Sequence, residues 1–237
     1  MPNNYFKFKQ FTILQEKSAM KVGTDGVLLG AWADIGEAKA ILDIGTGTGL
    51  IAIMLAQRSG ATIDAVEIDS MSALQAKENV SSCSWAGRIT VVNKSFQDFY
   101  ANCSKRYDLI VSNPPYFIKS HKSPSLERSV ARHTDELLYD DLLKGIVELL
   151  TQQGRFAGIF PYVEGNIFIA KAATHGLYCN KRVNVQGKKN GSIKRLLLEF
   201  GRSKLILTES SLAIRCDKEG YTPEYKELTE DFYLNLK

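Results

Sequence analysis

The stretch that decides the fold of this chain is Leu42-Asp43-Ile44-Gly45-Thr46-Gly47-Thr48-Gly49. An apolar run leads into three glycines at alternate positions, and the segment Leu50–Arg58 that follows has a helical period. This order predicts a strand, a tight turn and a helix, and glycine lets a ligand approach the backbone closely at such a turn. The spacing G-x-G-x-G differs from the G-x-G-x-x-G typical of a dinucleotide pyrophosphate site. The stretch therefore predicts either a ligand site of another kind or a tight turn without a ligand.

The sequence on both sides of this turn alternates between short apolar runs rich in β-branched residues and longer segments of helical period. The predicted strands are Ala40–Ile44, Thr62–Glu67, Ile89–Val92, Tyr107–Ser112, Arg155–Phe160, Tyr178–Val185 and Ile193–Phe200. The predicted helices are Leu50–Arg58, Ser70–Ser81, Glu136–Leu150 and Glu164–Thr174. Only Gln186–Ser192 separates the last two strands, which predicts an antiparallel hairpin. The pattern predicts an α/β fold with a doubly wound, mostly parallel seven-stranded sheet and an antiparallel edge hairpin.

The composition is that of an ordinary globular protein, with 237 residues, 44% of them hydrophobic, and a formal net charge of +4. We expect residues 1–237 to form a single domain, with 1–39 as an N-terminal extension and Lys21–Trp32 folded over the ligand cleft. The four cysteines form no Cys-x-x-Cys pair, so no metal site is predicted. Neither a secretory signal nor a run of 18 apolar residues is present, which predicts a cytoplasmic protein without a membrane partner.

Acidic and polar residues follow the predicted strands. Glu67 ends the second strand, and its two oxygens match the spacing of a ribose diol, with Ile68 beside it as a further candidate contact. The alternative for Glu67 is a solvated carboxylate, and Asp69 is predicted to cap the next helix. After the third strand, Ser95 and Asp98 are alternative polar contacts, and Phe96 offers a backbone amide and an apolar wall.

The segment Ser112-Asn113-Pro114-Pro115-Tyr116 follows the fourth strand and indicates the reaction class. An amine nitrogen conjugated to a ring or carbonyl is a poor nucleophile, because its lone pair is delocalised. The Asn113 side-chain oxygen and the Pro114 carbonyl can accept hydrogen bonds from such an amine, and two successive prolines hold these acceptors in place. Tyr116 adds a flat face for stacking a base or an amide. The alternative is a proline-rich turn that closes a strand.

Together these segments resemble motifs I and IV of the class I S-adenosylmethionine (SAM) dependent methyltransferases that act on amino groups. The segment Met20–Leu29 and the tail Tyr221–Tyr225 are similar to bacterial enzymes that methylate N6 of adenosine 37 in tRNA1(Val), and the resemblance runs from about Phe6 to Leu234. It implies SAM as cofactor and tRNA as substrate. The cofactor residues that it implies, together with Glu67 and Ile68, are Thr24, Asp25, Asp43, Gly45, Thr46, Gly47, Gly49, Ser95, Phe96, Asp98 and Asn113.

The resemblance also distributes these residues along the cofactor. Thr24 and Asp25 would cover its methionine end, although a simple helix cap is the alternative for that segment. Asp43 would lie near its amino group, and Ser95 stands where the family usually has an acid that contacts the adenine. Asn113, Pro114, Pro115 and Tyr116 would form the catalytic segment.

Basic residues are concentrated in two segments, which indicates a nucleic-acid face. Residues 118–134 contain four basic residues against one acid, and 181–204 contain eight against one. Since the whole chain carries only +4, the remainder is net acidic. The predicted RNA-binding residues are Lys119, Lys122, Arg128, Arg132, Lys188, Lys189 and Arg195. The long polar segment Ile118–Asp135 is expected to be functional because it directly follows a strand of the sheet.

Other functions remain open at this level. A glutamine N5-methyltransferase acting on a protein has a similar Asn-Pro-Pro-Tyr segment, and another nucleic-acid adenine or guanine amino-methyltransferase is a further alternative. A module that binds SAM or RNA without turnover is the non-enzymatic alternative, although binding alone does not require paired acceptors at Asn113 and Pro114. We expect a monomer.

Overall fold

The computed structural model describes residues 3–114, 139–216 and 220–236. The strands are β1 (Tyr5–Lys7), β2 (Thr12–Leu14), β3 (Ala40–Ile44), β4 (Thr62–Glu67), β5 (Ile89–Asn93), β6 (Tyr107–Ser112), β7 (Leu150–Pro161), β8 (Tyr178–Lys188), β9 (Ile193–Gly201) and β10 (Thr208–Arg215). The helices are α1 (Thr24–Trp32), α2 (Leu50–Arg58), α3 (Ser70–Ser81), α4 (Phe96–Ala101), α5 (139–149 in its described part), α6 (Tyr162–Thr174) and α7 (Pro223–Thr229), with a 3₁₀ turn at Ala86–Arg88.

Eight of the strands form one sheet in the order β10-β8-β9-β7-β6-β3-β4-β5. The pairs from β5 to β7 are parallel, β9 runs antiparallel to both of its neighbours, and β10 is again parallel to β8. The sheet order reverses between β3 and β6, which is the position where open α/β sheets bind ligands. The turn between β8 and β9 lies at the same edge as the carboxyl ends of the parallel strands, because Arg195 pairs with Pro161 at the end of β7.

Helices cover both faces of the sheet because the strand residues alternate between two apolar clusters. Ile41 belongs to a cluster that includes α1, α2 and Val80 of α3, whereas Leu42 and Ile44 belong to a cluster with α5 and α6. This alternation places Asp43 on the same face as Ile41, under α2. The decisive strand is therefore buried on both sides, and its carboxyl end opens into the glycine turn.

These results confirm the α/β, mostly parallel fold class, but the large sheet has eight strands rather than the predicted seven. The additional strand is β10, which pairs with β8, so the antiparallel hairpin β8–β9 lies one strand inside the edge. The sequence did not predict β10 because four of its eight residues in succession, from Thr208 to Ser211, are polar and exposed. The hairpin itself was predicted correctly.

Residues of the predicted N-terminal extension have two separate locations. Strands β1 and β2 form their own hairpin, and Phe8 packs against Phe11 and Tyr233 near the other end of the chain. Met20–Gly26, by contrast, lines a cavity beside the glycine turn. Within residues 3–39, the residues that line this cavity are those just before α1 and in its first turn.

Candidate active site

A cavity of about 390 Å³ lies at the point where the sheet order reverses. Four parts of the chain form it, namely the segment before α1 with its first turn, the glycine turn, the end of β6 and the start of β9. Its lining residues are Met20, Lys21, Val22, Gly23, Thr24, Asp25, Gly26, Gly45, Thr46, Gly47, Thr48, Leu50, Ile51, Asn113 and Arg195. The structure thus brings together the glycine turn, Asn113 and the Thr24–Asp25 segment, which are far apart in sequence.

The glycine turn requires its glycines for both conformation and space. Gly45, Gly47 and Gly49 have φ values of +71°, +56° and +83°, in the left-handed region that other residues rarely adopt. Among the described residues other than the chain neighbours, no heavy atom lies within 4 Å of the position that a Cβ would take at Gly45 or Gly47, and both glycines line the cavity. A ligand can therefore lie directly against the backbone at these two positions.

Most amides of this turn are bonded within the protein. The amides of Gly45 and Thr46 donate to the Val66 carbonyl, and the Gly47 amide donates to Glu67 Oε2 at 2.8 Å. The Gly49 amide donates to the Thr46 carbonyl. The turn consequently offers a ligand an open backbone surface to pack against, and few hydrogen-bond donors.

Asp43 is completely buried beneath this turn. Its Oδ2 accepts a hydrogen bond from the Thr46 hydroxyl at 2.6 Å, whereas its Oδ1 has no hydrogen-bond partner among the described residues. Burial raises the pKa of the Asp43 carboxyl to about 7, although the Thr46 hydroxyl and the Ala52 amide oppose this rise. A buried carboxylate oxygen without a partner is energetically unfavourable, so Oδ1 is suited to a cationic or hydrogen-bonding group of a ligand.

Glu67 ends β4, and its carboxylate is fixed against the glycine turn. Oε2 accepts from the Gly47 amide and Oε1 accepts from the Asp69 amide at 2.9 Å. Each carboxylate oxygen has a second lone pair, so both can still accept from a diol. Ile68 beside it is 71% exposed, which is unusual for a large apolar side chain that follows a buried strand. The predicted cap is confirmed, since Asp69 Oδ1 accepts from the Ser72 amide at the start of α3.

Ser95 and Asp98, the two alternative adenine contacts, form one hydrogen-bonded unit. Ser95 is the N-cap of α4 and accepts from the Asp98 amide at 3.0 Å, while its hydroxyl donates to Asp98 Oδ2 at 2.6 Å. These two bonds explain the three-residue spacing between Ser95 and Asp98, since an N-cap side chain accepts from the backbone amide three residues later. The ring of Phe96 lies against Gly145 of α5. Ser95, Phe96 and Asp98 follow β5 at the same sheet edge as Glu67, outside the residues that line the cavity.

Asn113 follows β6 directly and lines the cavity, and Pro114 after it is buried. The preceding residue, Ser112, donates from its hydroxyl to the Ile44 carbonyl at 2.9 Å and so ties the end of β6 to the end of β3. This bond connects Asn113 to the glycine turn. Pro115, Tyr116, the Ile118–Asp135 segment and Lys119, Lys122, Arg128 and Arg132 lie outside the described residues.

Thr24 begins α1, with Gly23 as an N-cap that has no side-chain hydrogen bond, so the simple helix-cap alternative does not apply. Asp25 Oδ2 accepts from Arg195 Nε at 2.7 Å, and both residues line the cavity. Arg195 was predicted to bind RNA on the basis of the basic run. The structure places Arg195 in the wall of the cavity, because β9 runs antiparallel and brings its start to this edge, and its contact with RNA stays a prediction. An ion pair at the cavity wall presents both signs of charge to a ligand.

The basic segment 181–204 divides between the two ends of the sheet. Lys188, Lys189 and Lys194 are exposed at the β8–β9 turn, on the cavity side. Arg202 lies at the opposite end and donates to the carbonyls of Val147 in α5 and Leu150 at the start of β7. The predicted RNA-binding residues of this segment, Lys188, Lys189 and Arg195, all lie near the turn, and their binding to RNA stays a prediction.

The described residues can also be searched for metal-binding side chains and for helices that could span a membrane. Among the described residues, no group of three or more His, Cys, Asp or Glu side chains is placed to hold a metal ion. No helix in the described ranges has the length and apolar character needed to cross a membrane. All four cysteines are partly buried free thiols.

Two polar residues of α3 that connect parts of the site, Gln75 and Asn79, were not predicted from the sequence. Their side chains bond to the segment before α1 and to the glycine turn. A signal was present, since the two lie four residues apart and share one face of a helix with the apolar Ala76 and Val80 nearby. Buried amides on such a face indicate long-range hydrogen bonds, but the partners cannot be read from the sequence.

Comparison with known proteins agrees with this geometry. The model of the "Methyltransferase small domain" family matches residues 19–152. A protein of Trichodesmium erythraeum named tRNA1(Val) (adenine(37)-N6)-methyltransferase is 50% identical, covering 99% of each chain. A protein of Bacteroides thetaiotaomicron with the same name is 48% identical over the whole of both chains.

Solved structures with low identity show the same fold. A predicted O-methyltransferase of Agrobacterium tumefaciens superposes with a TM-score of 0.66 at 17% identity, covering 88% of this chain and 96% of that one. A ribosomal protein L11 methylase of Lactobacillus delbrueckii gives a TM-score of 0.54 at 19% identity, covering 75% and 77%. The sequence identities over the full length show that this chain belongs to the tRNA1(Val) (adenine(37)-N6)-methyltransferase family of SAM-dependent enzymes.

Proposed function

We propose that this protein transfers the methyl group of SAM to N6 of adenosine 37 in the anticodon loop of tRNA1(Val). The observation that carries the proposal is the position of Asn113, which lines the same cavity as the glycine turn. Full-length identity to relatives of that name supports the substrate. The working compartment is the cytoplasm, and the enzyme acts as a single-domain monomer.

The residues of the cavity fit SAM. Gly45 and Gly47 leave open space against the backbone, and Asp43 Oδ1 is a buried acceptor without a partner among the described residues. The Asp25–Arg195 pair supplies both charges for a zwitterionic amino-acid group. Thr24, Asp25, Asp43 and Thr46 would hold this methionine end.

The remaining cofactor contacts follow the strand order. Glu67 would accept hydrogen bonds from the ribose hydroxyls, with Ile68 as an apolar wall and the Ser95–Asp98 unit nearest to the adenine. Strands β3, β4 and β5 are neighbours, so the methionine, ribose and adenine contacts follow one another along one sheet edge. This order matches the covalent order of the groups in the cofactor.

When bound, SAM supplies a methyl group on a positively charged sulfur, which is a strong electrophile. The chain's own contribution is to orient the target amine. The Asn113 side-chain oxygen and the Pro114 carbonyl would accept hydrogen bonds from the N6 amino group and so direct the nitrogen lone pair at the methyl carbon. Transfer would form the N–C bond in place of the C–S bond, and the proton lost from the nitrogen would pass to water. The resemblance assigns to Pro115 the role of keeping these acceptors rigid and to Tyr116 the role of stacking on the base.

For this chemistry adenosine 37 must leave its base stack, which a tRNA loop permits at modest energetic cost. Lys188, Lys189 and Lys194 are on the cavity side of the sheet, where they can neutralise the phosphates that flank the loop. Lys119, Lys122, Arg128 and Arg132 would contribute from the segment after Tyr116. The charge distribution supports RNA as the substrate in preference to a protein glutamine.

Nucleoside analysis of tRNA tests this proposal. We expect tRNA1(Val) from a strain that lacks this protein to lose N6-methyladenosine at position 37, and the purified protein with labelled SAM to restore it. As a control, the same transcript with guanosine at position 37 should accept no label. Label transferred to a protein but not to unmodified tRNA would show that the glutamine alternative is correct.

A further inference from the structure

Helix α3 carries two primary amides on its buried face, Gln75 and Asn79, with 0% and 1% of their surface exposed. Neither residue lines the cavity. Burial of an amide is unfavourable unless hydrogen bonds replace those to water, so the partners of both side chains indicate what they do.

Asn79 joins two segments that are far apart in sequence. Its Oδ1 accepts from the Leu14 amide, and its Nδ2 donates to the Leu14 carbonyl and to the Thr48 carbonyl, each at 2.8 Å. Leu14 ends the N-terminal hairpin, and Thr48 belongs to the glycine turn and lines the cavity. One side chain thus fixes the glycine turn relative to the start of the segment that leads to α1.

Gln75 holds that segment, residues 15–23, which we call the strap; it has no regular secondary structure. Gln75 Oε1 accepts from the Lys17 amide at 3.1 Å, and its Nε2 donates to Glu78, which also pairs with the Lys17 side chain. The strap is thereby attached to α3 through both the backbone and the side chain of Lys17.

The far end of the strap reaches the cavity. Gln15 Oε1 accepts from the Val22 amide at 2.8 Å, which closes the strap on itself. Ser18 bonds to the Met20 carbonyl and to Ser72 of α3. Met20 and Val22 line the cavity, so α3 determines the position of one cavity wall through the strap and of another through Thr48.

We propose that Gln75 and Asn79 are positioning residues for SAM, which hold the strap and the glycine turn at a fixed separation on α3. The inference rests on the proposed function only in taking SAM as the ligand. Without these bonds, binding would have to order the strap, and the entropic cost would weaken cofactor affinity. The acceptors at Asn113 and Pro114 lie on β6 and its extension, so the rate at saturating SAM should not change.

Calorimetric titration of the full chain with S-adenosylhomocysteine, together with steady-state kinetics, tests this inference. We expect Asn79→Ala and Gln75→Ala each to raise the Kd and the KM for SAM about tenfold, with kcat and the KM for tRNA within twofold of the unaltered protein. Asn79→Asp keeps the acceptor for the Leu14 amide but turns a carboxylate oxygen toward the Leu14 and Thr48 carbonyls, so its effect should be at least as large as that of Asn79→Ala.

The matched control is Thr229→Val, which removes a buried hydroxyl that donates to the Tyr225 carbonyl in α7. It should lower the Tm without changing the Kd. If Asn79→Ala does not fold, Gln75→Ala decides the question. Unchanged affinity in the folded variants, or an equal loss in Thr229→Val, would overturn the inference. Failure of the unaltered protein to bind S-adenosylhomocysteine would instead overturn the proposed function.

Discussion

The two halves of the sheet use their polar side chains differently. In the parallel half, β5-β4-β3-β6, polar residues at the strand ends surround the glycine turn and cavity, and Asp43 is buried with one oxygen unpartnered among the described residues. In the half formed by β7, β9, β8 and β10, several charged residues are engaged in structural contacts. Arg202 binds carbonyls in α5 and at the start of β7, Arg182 bonds to Asn184 and pairs with Glu209, and Lys181 lies over the Trp32 ring.

This difference shows that a charge in the sequence is a poor guide to function until its partners are known. Arg202 and Arg182 contribute to the same basic run as Lys188 and Lys189, yet their guanidinium groups stabilise the fold. Asp43, by contrast, is placed where it destabilises the fold and suits a ligand. Four changes test this difference between the two halves.

The largest effect is expected for Asn113→Ala, in the parallel half. Because this change removes one of two acceptors for the target amine, kcat for tRNA methylation should fall by about 10²–10³-fold. The Kd for S-adenosylhomocysteine should stay within threefold, as measured by calorimetry.

Asn180→Ala is the matched change in the other half. The Asn180 side chain bonds to the Ser203 carbonyl and the Leu205 amide at the opposite end of the sheet. Its loss should lower the free energy of unfolding by about 1 kcal/mol and leave kcat unchanged. Equal losses of activity in the two variants would remove the functional distinction between the halves.

A smaller effect, on stability, is expected for Asp43→Asn. The pKa of Asp43 in the folded state, about 7, lies above the usual 3.8 of an aspartate, so the folded state binds the proton more tightly. The contribution of Asp43 to stability therefore falls as pH rises from about 4 to 7, and the penalty is complete above pH 7. The shift sets a ceiling of about 4 kcal/mol on this penalty.

Denaturant unfolding of the cofactor-free protein at pH 5 and pH 8 measures this difference. We expect the unaltered protein to lose more stability between these two pH values than Asp43→Asn does. If the stability of the two proteins changes with pH in parallel, ionisation of Asp43 does not destabilise the fold. Asp43 would then not differ in this respect from the charged residues of the half formed by β7, β9, β8 and β10.

The smallest effect is expected for the double charge reversal Lys188→Glu/Lys189→Glu at the β8–β9 turn. Loss of phosphate contacts should raise the Kd for tRNA about tenfold at low salt, and less at high salt, in fluorescence anisotropy titrations. The control Lys39→Glu/Lys204→Glu reverses two exposed lysines at the opposite end of the sheet. If both double variants weaken binding equally, net charge rather than the position of the turn accounts for the effect.

Much of the fold could be predicted from local pattern. Strands β3, β4 and β6 and helices α2 and α3 have the predicted bounds. Helix α1 was not predicted as a helix, since it is apolar almost all round and contains two glycines, Gly26 and Gly30. A Cβ at Gly30 would lie 2.7 Å from Met54 Sδ, so close packing on α2 explains that glycine.

The candidate site was predictable where it depends on strand ends. Asp43, Glu67 and Asn113 share one edge because parallel strands all end there. The position of Arg195 was not predictable from local pattern, because it depends on the pairing of β9 with β7. The Asn79 bonds to Leu14 and Thr48 likewise connect segments 31 to 65 residues apart, which no local periodicity reveals.

The bond between the Gly47 amide and Glu67 also affects which nucleotides can bind at the glycine turn. In dinucleotide-binding sheets the first glycine turn directs its amides at a pyrophosphate. Here that amide is occupied by a carboxylate, whose negative charge would repel a phosphate group at the same place. We therefore expect the turn to favour an adenosine derivative without phosphates, so that the abundant cellular nucleotides ATP and NAD compete poorly for it.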